Sequence, residues 1–122
     1  MDSTRELAKK IALLLDSRKG MDISLLDVQG ISNITDYFII ATGTSARHVL
    51  ALADYVEDGA RPLNLTLRHK EGHRTVDWVI LDYADMVVHL FVRETRDYYG
   101  LERIWSDARH IELPLDTGAK AL

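Results

Sequence analysis

Near the N-terminus, apolar residues recur at helical spacing. Leu7, Ile11 and Leu14 fall on one side of a helix, which predicts an amphipathic helix that packs against the rest of the fold. The sequence Ser3-Thr-Arg-Glu has the form of a capping box, which satisfies free backbone donors at a helix start. Gly20 is suited to ending the helix. The chain therefore opens with one helix.

Short apolar runs follow and indicate strands. Ile23 to Val28 is strand-like, and Tyr37 to Thr42 is an unbroken apolar run, which is typical of a strand buried on both faces. Gly43-Thr44-Ser45 interrupts the second run and begins a helix that ends between Gly59 and Pro62. Its core positions are Val49, Leu52, Ala53 and Val56. Strand, glycine turn and helix in this order favour an α/β fold.

The second half of the chain extends this pattern. Leu63 to Arg68 alternates weakly and is predicted as a third strand, and the polar stretch His69 to Thr75 as a loop. Thr95 is placed to cap a short helix. We therefore predict an α/β fold with a mixed β-sheet of about five strands flanked by helices, in one domain over residues 1–108. Residues 109–122 are predicted to form a flexible C-terminal tail.

The stretch DWVILDYADMVVHLF, residues 77–91, predicts a β-hairpin. A two-residue turn at Tyr83-Ala84 would place Asp82 opposite Asp85 and Trp78 opposite His89. Both faces would be largely apolar, so the hairpin is expected to lie centrally in the sheet. Two facing aspartates repel each other, and something must compensate. The compensation is either a backbone N–H of the turn or a cation from outside, which would be a metal or a partner's Lys or Arg.

Composition and charge limit the function. The chain has 122 residues, of which 47% are apolar and 28% charged, as in an ordinary globular domain. It has no cysteine, which excludes thiolate sites. A formal net charge of −4 argues against a broad nucleic-acid-binding face and suits a basic protein partner. The N-terminus lacks the order of a secretory signal and no apolar run could span a bilayer, so we expect no membrane and a cytoplasmic location.

Enzyme motifs are missing where an enzyme would need them. A strand followed by Gly43-Thr44-Ser45 and a helix could hold a triphosphate, but nucleotidyltransfer also needs closely spaced carboxylates for two metals, and no Asp-x-Asp occurs. His69 and His73 have the spacing of zinc ligands on a helix, which Gly72 interrupts. No Gly-x-Ser-x-Gly elbow is present. We expect no catalytic residue, no cofactor and no metal.

A basic loop and an aromatic cluster are the remaining candidates for binding. Arg68, Lys70 and Arg74 could contact an RNA phosphate, although such loops are more often simply solvated, and this one lacks interleaved aromatic residues. A cluster near the end of the chain combines residue types that are enriched at protein interface hot spots. It comprises Arg93, Arg96, Tyr98, Tyr99 and Trp105. Core packing explains Tyr99 and Trp105 at least as well.

Several stretches together resemble the ribosomal silencing factor family, also called the Iojap family. They are DVQG (27–30), ITDYFIIATGTSARHV (34–49), DW (77–78), DYAD (82–85), VVH (87–89) and TRDYYGLERIW (95–105). The similarity runs from Leu7 to Ala108. One departure is Ala84, where the family usually has a glycine suited to a positive φ.

The resemblance implies a fold related to nucleotidyltransferases but without their activity. It also implies a translation repressor, linked to ribosome maturation, that binds large-subunit ribosomal protein fourteen and blocks joining with the small subunit. Apart from the resemblance, a homodimer of the free protein and a peripheral contact of the basic loop with ribosomal RNA are left open. With the hairpin geometry, the expected partner-binding residues are Trp78, Asp82, Tyr83, Asp85, Met86, Arg93 and Arg96. A nucleotidyltransferase-like enzyme using a triphosphate and magnesium, and a self-associating scaffold, remain open as alternatives.

Overall fold

A computed structural model describes residues 3–72 and 77–114 and shows a mixed sheet flanked by helices. The sheet has six strands in the order β3-β4-β5-β2-β1-β6, one more than the predicted number of about five. The strands are β1 (Met21–Asp27), β2 (Tyr37–Gly43), β3 (His69–Glu71), β4 (Trp78–Asp82), β5 (Met86–Val92) and β6 (Arg109–His110). The helices are α1 (Ser3–Ser17), α2 (Ala46–Ala60), α3 (Arg93–Tyr99) and α4 (Leu101–Ile104), with a 3₁₀ turn at Arg61–Leu63. The predicted α/β class is confirmed, while the relation to nucleotidyltransferases stays a prediction.

The two long helices cover one face of the sheet, which we call the closed face. The predicted core positions of α2, from Val49 to Val56, are all completely buried. Ser45 caps this helix, since its hydroxyl accepts a hydrogen bond of 3.1 Å from the His48 N–H. Gly43 permits the close approach of helix and strand, because a Cβ there would lie 2.8 Å from a Val49 methyl. None of the helices in the described ranges is long and apolar enough to cross a membrane.

The opposite face, which we call the aromatic face, has a smaller core and shorter helices above it. Its core is built on Phe38 and Phe91, and Trp105, just after α4, packs against Phe38 with ring centroids 5.3 Å apart. Strand β2 is buried along its whole length between the two faces. It pairs with β1 antiparallel and with β5 parallel. Unbroken apolar sequence in β2 therefore reflects burial on both faces, as predicted.

The hairpin exists, but its predicted register is wrong. Trp78 lies opposite Phe91 and Asp82 opposite Val87. The Tyr83 N–H donates to the Met86 carbonyl at 2.9 Å, which moves the turn one residue onward to Ala84-Asp85. Burial of the Tyr83 ring in the core keeps that residue in the ladder. Because pairing shifts by an even number of residues, each side chain keeps its predicted face.

Two further local predictions are corrected. The third strand is not Leu63 to Arg68 but His69–Glu71, inside the segment predicted as a loop. Pro62 lies in the 3₁₀ turn and Asn64 ends it in the left-handed region with φ of 61°, so extended pairing cannot begin there. Helix α3 begins at Arg93 rather than behind a Thr95 cap.

The ordered structure continues past the predicted domain end at Ala108. Strand β6 pairs with β1, and the Ile111 N–H donates to the Leu25 carbonyl at 2.9 Å. Ile111 and Leu113 pack against the core of the closed face. The first part of the predicted tail thus completes the sheet. Residues 115–122 lie outside the described residues.

A candidate protein-binding groove

The predicted partner-binding residues lie in two places. Asp82 and Asp85 are at the hairpin tip, whereas Trp78 lies at the open end, roughly 13 Å away along β4 at the usual rise per strand residue. Met86 is completely buried and Tyr83 nearly so, with 5% of its surface exposed. At the tip, only the two aspartates offer side chains to a partner.

The aspartates at the tip do not form a pair. Asp82 accepts a hydrogen bond of 2.8 Å from the Ala84 N–H, so the turn's own backbone satisfies it. The side chain of Asp85 is exposed, and its carbonyl accepts from the N–H groups of Asp36 and Tyr37, both at 3.2 Å. No cluster that could hold a metal ion occurs among the described residues. Of the two explanations left open by the sequence, backbone hydrogen bonding is the one observed for Asp82.

A groove of about 810 Å³ opens at the other end of the hairpin, between the start of β4 and helix α3. We call it the aromatic groove. Its lining is Glu71, Gly72, Asp77, Trp78, Ile80, Val92, Glu94, Thr95, Tyr98 and Tyr99. Tyr98 and Tyr99 are 80% and 48% exposed, which is high for aromatic rings. The groove therefore displays aromatic surface that the fold itself does not bury.

Trp78 is fixed in place under the groove. Its ring lies 4.6 Å from the Tyr99 ring and 4.8 Å from the Phe91 ring, measured between centroids. Its indole N–H donates to His89 Nδ1 at 3.1 Å. Burial lowers the pKa of His89 to about 4, so the imidazole is neutral at pH 7 and Nδ1 can accept this bond. The indole is thus held before any partner arrives.

The groove lining is acidic. Among the described residues, three carboxylates belong to it, those of Glu71, Asp77 and Glu94, and no Lys or Arg does. Glu71 is bonded to His69 Nε2 at 2.7 Å. Neither Asp77 nor Glu94 forms an ion pair within the part of the chain that the structure describes. Aromatic rings beside unpaired carboxylates suit a cationic group.

The two predicted interface arginines differ in accessibility. Arg93 is exposed and forms ion pairs with Asp22 and, at 3.9 Å, with Asp97. Arg96 is 6% exposed and donates to the Asp22 carbonyl at 2.6 Å and to Thr42 Oγ1 at 2.8 Å. Arg96 also binds the carboxylate of Glu102. Arg96 therefore ties α3 to β1, β2 and α4 and is not available to a partner.

The Arg96 contact changes the titration of Glu102. Burial raises the pKa of this carboxyl, but hydrogen bonding to the Arg96 guanidinium and its charge outweigh burial, and the net pKa is lowered. Glu102 is therefore held ionised, and the ion pair fastens α4 next to α3.

One residue of the basic loop and the start of α2 have partners within the protein. Lys70 bonds to Glu57 at 2.7 Å, while Arg74 and His73 lie outside the described residues. At the start of α2, the Thr44 N–H donates to His48 Nδ1 at 2.9 Å. The backbone donors that a triphosphate would use are thus partly occupied by the chain's own side chains.

Sequence reasoning missed part of the groove. Glu94, Tyr98 and Tyr99 were not among the predicted partner-binding residues, although the two tyrosines belong to the aromatic and arginine cluster noted in the sequence. That cluster was the available signal. What the sequence could not show is that α3 folds back beside the first residues of β4.

Comparison with known proteins gives a consistent family. The family model described as "Ribosomal silencing factor during starvation" matches residues 1–121. The ribosomal silencing factor RsfS of Bacillus subtilis is 38% identical over 104 residues, which cover 85% of this chain and 88% of that protein. The RsfS of Haemophilus influenzae is 41% identical over 92 residues, covering 75% and 90% respectively.

More distant relatives and solved structures agree. A mouse protein named "Mitochondrial assembly of ribosomal large subunit protein 1" is 35% identical over 96 residues, which cover 76% of this chain and 42% of the mouse protein. A crystal structure from Bacillus halodurans has a TM-score of 0.78 at 32% identity, covering 89% of this chain and 99% of that one. A Chromobacterium violaceum structure has the same TM-score at 30% identity, covering 96% and 98%.

Proposed function

Because the chain belongs to the ribosomal silencing factor family, we propose that it represses translation by binding the large ribosomal subunit and blocking its association with the small subunit. The partner would be large-subunit ribosomal protein fourteen, and the mechanism steric exclusion in the cytoplasm, without catalysis. The single observation that carries the proposal is the aromatic groove, an exposed aromatic surface with two carboxylates, those of Asp77 and Glu94, that form no ion pair with the described residues.

The groove has the chemistry expected for a basic protein partner. Exposed Tyr98 and Tyr99 supply contact area at little cost in side-chain entropy. The carboxylates of Asp77 and Glu94 attract a cationic surface and speed the encounter. Trp78 is already held in place by Phe91 and His89, so binding does not incur the entropy cost of ordering its side chain. Exposed Arg93, just before Glu94, lies at the groove's margin and completes the proposed interface.

Binding of this kind would also act before the subunit is finished. The mouse relative is named for assembly of the mitochondrial ribosomal large subunit. We therefore include maturation of the large subunit in the proposal.

Sedimentation of separated ribosomal subunits tests the proposal. We expect the protein to migrate with the large subunit and to reduce formation of joined ribosomes. Glu94→Lys should weaken both effects at least tenfold, since it reverses a groove charge. Asp54→Lys, which makes the same charge change on the exposed side of α2, should leave both effects intact. Normal subunit joining at saturating protein, without co-migration, would exclude the function.

Self-association of the free protein is tested separately. A homodimer would cover exposed Tyr98 and Ile104 with a second copy. A molar mass that falls from dimer to monomer on dilution supports it, and a monomer mass at every concentration rejects it. The result does not affect the subunit experiment at concentrations where only the monomer is present.

A further inference from the structure

We propose that the aromatic groove is a receptor for one arginine side chain of the protein partner. The inference rests on the proposed function only in that the partner is a protein. It specifies the group recognised, a guanidinium, and the atoms that recognise it: the rings of Tyr98, Tyr99 and Trp78, and the carboxylates of Asp77 and Glu94.

The aromatic part of the groove has two differently oriented surfaces. The Tyr98 and Tyr99 rings are perpendicular, at 89°, with centroids 5.0 Å apart. The Tyr99 ring is inclined by 46° to the Trp78 ring, 4.6 Å away. A planar cation placed in the groove can stack on one ring and meet the edge or face of another. None of the described lining residues is a Lys or Arg that could itself stack on these rings.

The charges favour a cation over a neutral group. Asp77 precedes β4, and Glu94 is in the first turn of α3, so the two carboxylates approach the groove from different elements. The Val92 N–H donates to the Asp77 carbonyl at 3.1 Å, which fixes the distance between these elements. Each carboxylate lacks an ion pair in the described part of the chain. A guanidinium has five N–H donors in a planar fork and can bond to more than one carboxylate.

Arginine fits this arrangement better than lysine. A guanidinium is planar, stacks on aromatic faces and donates in two directions, whereas an ammonium is a compact and strongly hydrated charge. The groove lining includes three aromatic rings, and the carboxylates of Asp77 and Glu94 come from different elements. The groove should therefore bind arginine most tightly and lysine more weakly. Citrulline has nearly the same shape as arginine but no charge, so it should bind most weakly of the three.

NMR titration with blocked amino acids tests the preference on the intact protein. The probes are N-acetyl-arginine amide, N-acetyl-lysine amide and N-acetyl-citrulline amide. The indole N–H signal of Trp78 reports the groove, and that of Trp105, the other tryptophan, is the internal control. We expect arginine to shift the Trp78 signal, lysine to bind at least threefold more weakly and citrulline at least tenfold more weakly.

Paired variants locate the binding. Asp77→Asn and Glu94→Gln should each weaken arginine binding at least threefold, whereas Asp54→Asn on α2 should not change it. Equal binding of citrulline, or a shift confined to Trp105, would overturn the proposal. The proposal would also be overturned if the Arg74→Gln variant bound N-acetyl-arginine amide more tightly than the unmodified protein does, since the chain's own arginine would then be the competing ligand.

The outcome separates this inference from the proposed function. If arginine binds as expected but the protein leaves subunit joining unchanged, the receptor stands and the ribosomal function fails. If subunit joining is blocked while arginine and citrulline bind equally, the function stands and the arginine receptor is rejected.

Discussion

The two faces of the sheet bury apolar surface to different degrees. Two helices of 15 residues each cover the closed face, and its core side chains, such as Leu52 and Leu90, are completely buried. The aromatic face lies under helices of seven and four residues, and it leaves Tyr98 and Ile104 mostly exposed. Short helices cannot cover the sheet fully, so the aromatic face retains exposed apolar surface, which we propose serves recognition.

Truncating the closed face should give the largest change. Leu52→Ala should lower the free energy of unfolding by about 3 kcal/mol, because it removes a fully buried side chain and leaves a cavity. Tyr98→Ala, on the exposed surface, should change it by less than about 0.5 kcal/mol. Urea denaturation measures both values. Similar losses in the two variants would contradict the division between the faces.

Acid should destabilise the aromatic face through His89. Its pKa is about 4 in the folded protein and 6.5 in its ordinary state, so the unfolded chain binds the proton more readily between these values. Stability should therefore fall as the pH decreases from 6.5 to about 4, by at most about 3 kcal/mol. His89→Gln retains an acceptor for Trp78 and removes the titration. Parallel pH profiles of the free energy of unfolding for protein and variant would disprove the contribution.

Groove aromatics should affect binding more than stability. Tyr99→Ala should weaken affinity for the large subunit about tenfold, a loss of about 1.4 kcal/mol. Tyr55→Ala provides a matched control, because this tyrosine is 37% exposed but lies on α2, which covers the closed face. Co-sedimentation at graded protein concentrations measures the affinities. Equal weakening by both variants would place the interface elsewhere.

The smallest effect is expected at the hairpin turn. Ala84 has a φ of 75°, in the left-handed region that costs an L residue about 1 kcal/mol. Ala84→Gly should remove this strain and, after the greater entropy of glycine in the unfolded chain, stabilise the protein by about 0.5 kcal/mol. The midpoint of urea denaturation should rise. An unchanged or lower midpoint would show that the turn holds alanine without strain.

The sequence predicted the parts of the fold that have strong local patterns. Helix α2 and strand β2 follow from the core spacing of Val49 to Val56 and from the apolar run at Tyr37. The face on which each hairpin side chain lies was predicted correctly although the register was not. Side chains alternate between the two faces, so a pairing shift of two residues leaves every side chain on the same face. The register itself depended on whether the Tyr83 ring enters the core, and local sequence does not contain that information.

Short edge strands and the site were harder to predict. Strands β3 and β6 have three and two residues, too few for any alternation to be recognised. Trp78 was predicted as a partner-binding residue from its place in the hairpin. The groove around it is also lined by residues of α3, which follows β5 directly in the chain. Arg96 was assigned to an interface by residue type, whereas its burial is decided by partners on β1 and β2.

The parallel pairing of β2 with β5 has a consequence for how the chain folds. Tyr37 lies opposite Met86, roughly fifty residues later, so the central contact of the sheet closes a long loop. Such non-local pairing slows folding relative to that of a helical protein of similar length. Until it forms, strand β2, all of whose residues are buried in the folded protein, has an unpaired edge. Refolding yield should therefore fall as protein concentration rises, since two chains can pair through β2 before one chain closes on itself.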